Sequence, residues 1–275
     1  MKKRLVLLLV TAMAATTVLA GCGSKDSGSS DNGKKSSKEA KVENDDDTLI
    51  VGFDASFPPY GYKDDSGEYV GFDLDLAQEV CDRNNWKLVK QPIDWDSKDA
   101  ELNSGTIDCI WNGMSINEKR KEVMSLSDSY MTNRMIFVVK NESNIQKLED
   151  LTGKSIGVQS GSSAEETLEA SKVYSQAKQV ISYADNITAF MDMETNQTEA
   201  VFVDEVLANY YIASNNKNYR ILDEALDEEQ YAIGFRKQDT ELCNKINEIL
   251  KEMKTDGTLA KISTTWFGKD VTTIK

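Results

Sequence analysis

From Thr48 onward, short apolar runs alternate with stretches whose apolar positions recur every three or four residues, the pattern of strands and helices stacked in layers. "TLIVGF" predicts a buried strand, "DSGEYVGF" a hairpin arm after a glycine turn, and "DLDLAQEVCDRNN" a helix capped by Asp73 with Leu74, Ala77, Val80 and Cys81 inward. "KLVKQPI" and "IDCIW" read as strands flanking a short helix, "DSKDAELNSG", stopped by Gly105, and "NEKRKEVM" reads as a helix capped by Asn117. A second series follows: strand "MIFVVK", helix "IQKLEDLTG", strand "KSIGVQSG", a long helix from Ser162 or Ser163, strand "QVISYA", helix "NITAFMDMETN", strand "AVFV" and helix "DEVLANYYIAS". The chain returns through "YRILDE" and strand "YAIGFR" to an amphipathic helix from Glu241 to about Lys254 and the closing segment "GTLAKISTTWFG". Two α/β units joined by more than one crossing segment enclose a cleft, where small ligands bind. Arg120 starts a helix just after a strand of the first unit, which aims it into that opening.

Before Thr48 the pattern changes. "MKKRLVLLLVTAMAATTVLAGCGS" has a basic start, an apolar stretch from Leu5 to about Ala20 and then small residues, an export signal over residues 1–21. The stretch is short of the ~20 residues of a spanning helix, and no later one approaches that length, so no transmembrane helix is expected. Leu19-Ala20-Gly21-Cys22 resembles the bacterial lipobox, which implies a lipid on Cys22 and an anchor on the membrane. Residues 22–47 are Gly, Ser, Lys and acid with almost nothing to bury, a flexible tether on the order of 30 Å long. The run Asp45 to Asp47 lacks the glycine turn and following glutamate of a calcium loop and reads as solvated linker.

Composition narrows the chemistry. The net charge of -14 argues against a nucleic-acid partner or attraction to an anionic membrane surface. There is no histidine, which removes the commonest general base and metal ligand and every nucleophile that depends on one. No phosphate-binding glycine loop is present. Cys81, Cys109 and Cys243 stand at no metal-ligand spacing and are expected as small buried residues, with a disulfide left open. No metal, cofactor or catalytic residue is expected.

Seven stretches in order, "FDASFPPYGY", "GEYVGFDLDLAQEV", "LNSGTIDCIWNGMSINEKRKEVMSLSDSY", "LTGKSIGVQSGSS", "AVFVDEVLANYY", "YAIGFRKQDTELCNKINEIL" and "MKTDGTLAKISTTWFG", resemble the family 3 solute-binding proteins, the polar amino-acid receptors of ABC importers. The resemblance implies a type II periplasmic-binding-protein-like α/β fold of two lobes, with the ligand cleft between lobes joined by two crossing strands. Lobe one would comprise residues 48–134 plus 231–275, and lobe two residues 135–230.

It also implies roles. Arg120, with Ser115 five positions earlier, matches the arginine that pairs with the ligand's α-carboxylate, a task suited to a planar guanidinium. Asp204 matches the acid that meets the α-ammonium, although it also suits the N-cap of the next helix. Ser115 and the carbonyl of Gly113 complete the shell, with Asn112 where several relatives carry serine. Gly161, Ser162 and Ser163 open a helix whose free N–H groups favour an anion, and Ser163 matches a hydroxyl contact to the carboxylate; plain helix capping is the alternative. Phe57 and Trp95 match two aromatics that sandwich the ligand's side chain, and Asp54 matches a position that meets a distal cationic group.

The implied ligand is a basic amino acid, cystine or glutamine. The implied partners are an ABC permease and, through Cys22, the outer face of the cytoplasmic membrane of a Gram-positive cell, with the protein a monomer. Two alternatives stand: a cyclic acid dehydratase on the same fold, marked by a cleft acid of raised pKa, and an amino-acid sensor module.

Overall fold

A computed structural model of the protein describes residues 47–275; the expected export signal, Cys22 and the tether up to residue 46 lie outside the described residues. Strand β1 (Thr48–Phe53) leads into a small antiparallel sheet of β2 (Ser56–Phe57), β3 (Gly61–Lys63) and β4 (Tyr69–Val70). Then come α1 (Phe72–Asn84), β5 (Lys87–Pro92), α2 (Lys98–Ser104), β6 (Cys109–Ser115), α3 (Glu118–Val123) and β7 (Met124–Leu126). The next series is β8 (Met131–Lys140), β9 (Ser155–Gln159), α4 (Ser163–Glu169), α5 (Lys172–Gln176), β10 (Gln179–Tyr183), α6 (Asn186–Glu194), β11 (Ala200–Asp204) and α7 (Glu205–Ser214). Strand β12 (Tyr219–Arg236) and helices α8 (Thr240–Thr255) and α9 (Thr258–Phe267) finish the chain.

The large sheet runs β10-β9-β11-β8-β12-β6-β1-β5, with β7 also pairing β12. It has two parallel wings, β10-β9-β11 and β6-β1-β5, and the fold is two-lobed about them. Among the described residues only β8 and β12 cross between the wings: β12 pairs with β8 from Tyr219 to Tyr231 and with β6 from Tyr231 to Phe235. Strands covered on both faces are mainly apolar, and β6, β9 and β11 are buried at every position, with polar Asn112, Ser115, Gln159 and Asp204 toward their carboxyl ends. The last helices complete the wing that β1 began, since Ile246, Leu250, Met253 and Leu259 share one core with Leu49, Val51 and Phe53.

Several local expectations need correction. The cap of α1 is Gly71, and Asp73 is fully buried; an acid ahead of an apolar helix reads as a cap only while its tertiary partners are unseen. "IQKLEDLTG" forms only a 3-10 turn, Leu148–Leu151. The long helix is two, because Ser171 accepts from the Tyr174 N–H and starts α5 afresh. "YRILDE" and "YAIGFR" are one continuous strand with bulges, β12. Cys81, Cys109 and Cys243 are buried free thiols.

Candidate functional site

Between the wings lies a narrow cavity, with ≈ 270 Å³ of non-atom space that is partly open to solvent. Strand ends supply most of its wall: Asn112, Gly113 and Ser115 from β6, Gln159 from β9 and Asp204 from β11. Arg120 enters from α3, Ser162 and Ser163 from the start of α4, Phe57 from β2 and Trp95 from the turn before α2.

Arg120 is placed by its own helix start. Asn117 caps α3 by accepting the Arg120 N–H at 2.8 Å, and the guanidinium Nη1 donates to the Ser115 carbonyl at 2.6 Å. The residue is 7% exposed. Among the described residues, arginine ion pairs form on Arg83, Arg134 and Arg236 but not on Arg120. Burial pulls its pKa below the ordinary value, opposed by the charge of Glu229. A solvated surface arginine would show neither feature.

Asp204 stands at the N-cap position of α7 yet caps nothing. Its Oδ1 accepts instead from Asn133 Nδ2 at 2.8 Å and from the Tyr231 hydroxyl. Burial first, then the charge of Glu229, pushes its carboxyl up to about 7.

Ser162 and Ser163 divide the labour at the start of α4. Ser162 Oγ accepts from the Glu165 N–H at 3.0 Å, and Glu165 accepts from the Gly161 N–H at 2.8 Å, which is the capping alternative realised. Ser163 Oγ is free of that task and donates across to Ser115 Oγ at 2.9 Å. Ser115 Oγ in turn donates to Glu229 Oε2 at 2.7 Å.

The aromatic walls are held from behind: Phe57 stacks on Tyr60 at 5.5 Å, and Lys98 Nζ lies 5.3 Å over the Trp95 ring. Gly113 has φ +56, and a Cβ there would meet Phe57 Cε1 at 2.9 Å, so this close approach requires glycine. Its N–H donates to Asp73 Oδ2 at 2.7 Å, which also accepts from the Tyr130 hydroxyl. Asn112 Oδ1 accepts from the Asp54 N–H at 3.1 Å and so ties β6 to the loop that carries Phe57.

Nine of the ten expected residues therefore line one cavity; Asp54 does not. Its carboxylate accepts from the Ser56 N–H at 2.8 Å and from Gln159 Nε2 at 2.7 Å, and burial raises it to about 6. Gln159 takes the place on the wall. Gln159 and Glu229 escaped the sequence reading, and Asp73 entered it only as a helix cap. A polar residue at the carboxyl end of a buried strand was the available signal for Gln159.

The wings also meet outside the cavity. Lys98 Nζ donates to the Gly161 carbonyl at 2.8 Å, and Glu166 accepts from Asn117 and Lys119 at 3.0 Å each. The structure is thus of the closed form.

A family profile described as "Bacterial extracellular solute-binding proteins, family 3" matches residues 49–269. The chain belongs to this family. Among relatives of this solute-binding protein, the arginine-binding extracellular protein ArtP of Bacillus subtilis is 34% identical, covering 95% of this chain and 97% of that one. The L-cystine-binding protein TcyJ of Escherichia coli is 31% identical, covering 82% and 84%. Among solved structures, an ABC uptake transporter substrate-binding protein from Streptococcus pneumoniae with bound histidine superposes with TM-score 0.81 at 39% identity, covering 82% of this chain and 95% of that one.

Proposed function

We propose that this solute-binding protein is the extracytoplasmic, lipid-anchored receptor of an ABC importer, and that it binds one polar L-amino acid in the cavity and hands it to a membrane permease. The observation that carries the reading is Arg120, a buried guanidinium on the cavity wall that forms no direct ion pair with a carboxylate among the described residues. A ligand α-carboxylate supplies that partner through two parallel charge-assisted hydrogen bonds. Asp204 then takes the α-ammonium, Ser115, Ser163 and the Gly113 carbonyl complete the shell, and Phe57 and Trp95 bracket the side chain. Relatives bind arginine, cystine or histidine, which supports the polar class. A basic amino acid, cystine and glutamine are the candidates.

Asp204 also carries the mark of the dehydratase alternative, a cleft acid of raised pKa. Burial and Glu229 are the cause, however, and an ammonium beside it reverses the shift without chemistry. The chain therefore acts as a receptor and not as an enzyme.

A thermal-shift panel on residues 46–275, stripped of carried-over ligand and tested against all L-amino acids, cystine and D-forms, tests both readings. Ligand at a thousandfold its dissociation constant adds about 4 kcal/mol, a shift of roughly 8 to 16 °C. A large shift for one chemical group that is absent for its D-form supports the receptor. A flat panel, or turnover of prephenate-like acids, sinks it.

A further inference from the structure

Glu229 belongs to the run "LDEEQY", which by composition reads as solvated surface. In β12 the side chains alternate, and Glu228 and Gln230 face outward while Glu229 and Tyr231 are buried on the same face. Tyr231 hydrogen-bonds Asp204, and Glu229 accepts from Ser115, so one crossing strand places a phenol and a carboxylate against the ammonium end of the proposed site. Two buried acids, Asp204 and Glu229, thus share the charge of Arg120.

We propose that Glu229 sets the ionisation of Asp204, so that an arriving ligand ammonium displaces a proton from the Asp204 carboxyl to solvent. The inference rests on the amino-acid reading above and adds to it a proton as a counter-product of binding. The balance is simple. The protonated Asp204 carboxyl loses H⁺ to water or buffer, and the resulting carboxylate accepts N–H bonds from the ligand's ammonium. No bond of the ligand changes.

The surroundings of both groups support the exchange. Asp204 receives the Tyr231 hydroxyl and the Asn133 amide, and the charge of Arg120 on α3 favours its ionisation, while the charge of Glu229 on β12 opposes it. Tyr60 also faces Asp204. Around Glu229 are the hydroxyls of Ser115 and Ser163, the cation of Arg120 and, along the strand, Asp227. Burial opposes the charge of Glu229 as well, so two neighbouring carboxylates compete for ionisation in one desolvated space. A ligand carboxylate on Arg120 occupies the cation that favours the Asp204 carboxylate, and the ligand ammonium is the new countercharge that lets Asp204 ionise.

The test has two arms. In the first, the aspartate carboxyl ¹³C resonances of the ligand-free protein are titrated, and Asp204→Asn identifies the Asp204 signal by its loss. The expected midpoint lies near neutrality and falls in Glu229→Gln; an ordinary aspartate midpoint, or one unchanged in Glu229→Gln, overturns the proposal. In the second arm, L-arginine, L-cystine and L-glutamine are titrated by calorimetry in phosphate and in imidazole, whose ionisation enthalpies differ, from pH 6 to pH 8. With Asp204 titrating at about 7, affinity should weaken about tenfold from pH 8 to pH 6, with buffer-dependent heat. In Glu229→Gln the span should shrink, whatever the absolute affinity. Binding whose heat is independent of buffer overturns the proton exchange while leaving the receptor reading intact. Absence of heat with all three ligands tells against the receptor reading, and the first arm still decides the role of Glu229. Circular dichroism shows whether each variant is folded.

Discussion

The hydroxyl of Ser163 donates to the hydroxyl of Ser115 at 2.9 Å, and this bond spans the cavity from one wing of the sheet to the other. Ser115 passes the chain on to Glu229 of the crossing strand, so the three groups align only when the wings are together. Ser163→Ala removes the link and leaves the α4 cap, which belongs to Ser162, in place. Loss of one such hydrogen bond is worth about 0.5 to 1.5 kcal/mol. Calorimetry should show roughly three- to tenfold weaker ligand binding, and stopped-flow should place the change in the dissociation rate.

Arg120 is the position at which the proposed site is most exposed to refutation. Arg120→Ala should weaken binding by about 2 to 5 kcal/mol, because a buried ligand carboxylate would face no cation. Arg120→Lys should recover only part of the loss, since an ammonium cannot make the paired contact. Unchanged affinity in the alanine variant, with a native circular dichroism spectrum, would reject the carboxylate role.

Stability should depend on pH in the ligand-free protein. Asp73 and Asp204 are each raised from 3.8 to about 7 and Asp54 to about 6, in every case chiefly by burial. Their folded values lie above those of the unfolded chain, so their protonated forms favour folding. That contribution is full below pH 3.8 and is lost as pH rises through 6 and 7. Against this background Asp73→Asn should flatten the fall in melting temperature between pH 5 and pH 8, since it holds the same acceptor toward Gly113 and Tyr130 without a charge. An equal slope in the variant, measured by calorimetric scans, would remove Asp73 from the account.

Gly113→Ala combines a left-handed backbone with a Cβ driven against Phe57. The conformational cost alone is about 1 to 2 kcal/mol, and the displaced ring would move the aromatic wall. Both melting temperature and ligand affinity should drop. A loss of stability with affinity intact would mean that Phe57 is a core residue and not a ligand wall.

Lys98 holds the wings together from outside the cavity through the Gly161 carbonyl. Lys98→Met keeps most of the stem packing and removes the bond. Small-angle scattering should then report a larger radius of gyration without ligand and recovery of the compact form at saturation.

The strand and helix order was legible because the buried strands carry short apolar runs, such as Cys109 to Trp111 in β6, and α8 repeats its apolar face with helical spacing. Arg120, Asp204 and the α4 serines stood out because they follow strands. Asp73, Gln159 and Glu229 did not, since each owes its burial to partners far along the chain: Gly113 and Tyr130 for Asp73, Asp54 and Asn186 for Gln159, Ser115 for Glu229. Asp54 lies off the cavity wall and bonds Gln159, which is 105 residues away and lines that wall.

The return of β12, α8 and α9 to the wing that begins with β1 has a consequence for the order of assembly. A chain made from its amino end completes β8 to β11 well before Ile246, Leu250 and Leu259 exist. Val51 and Phe53, made first, wait longest for their neighbours, so the wing that starts first is finished last. Until then its apolar surface is open to solvent and to any chaperone that holds the chain.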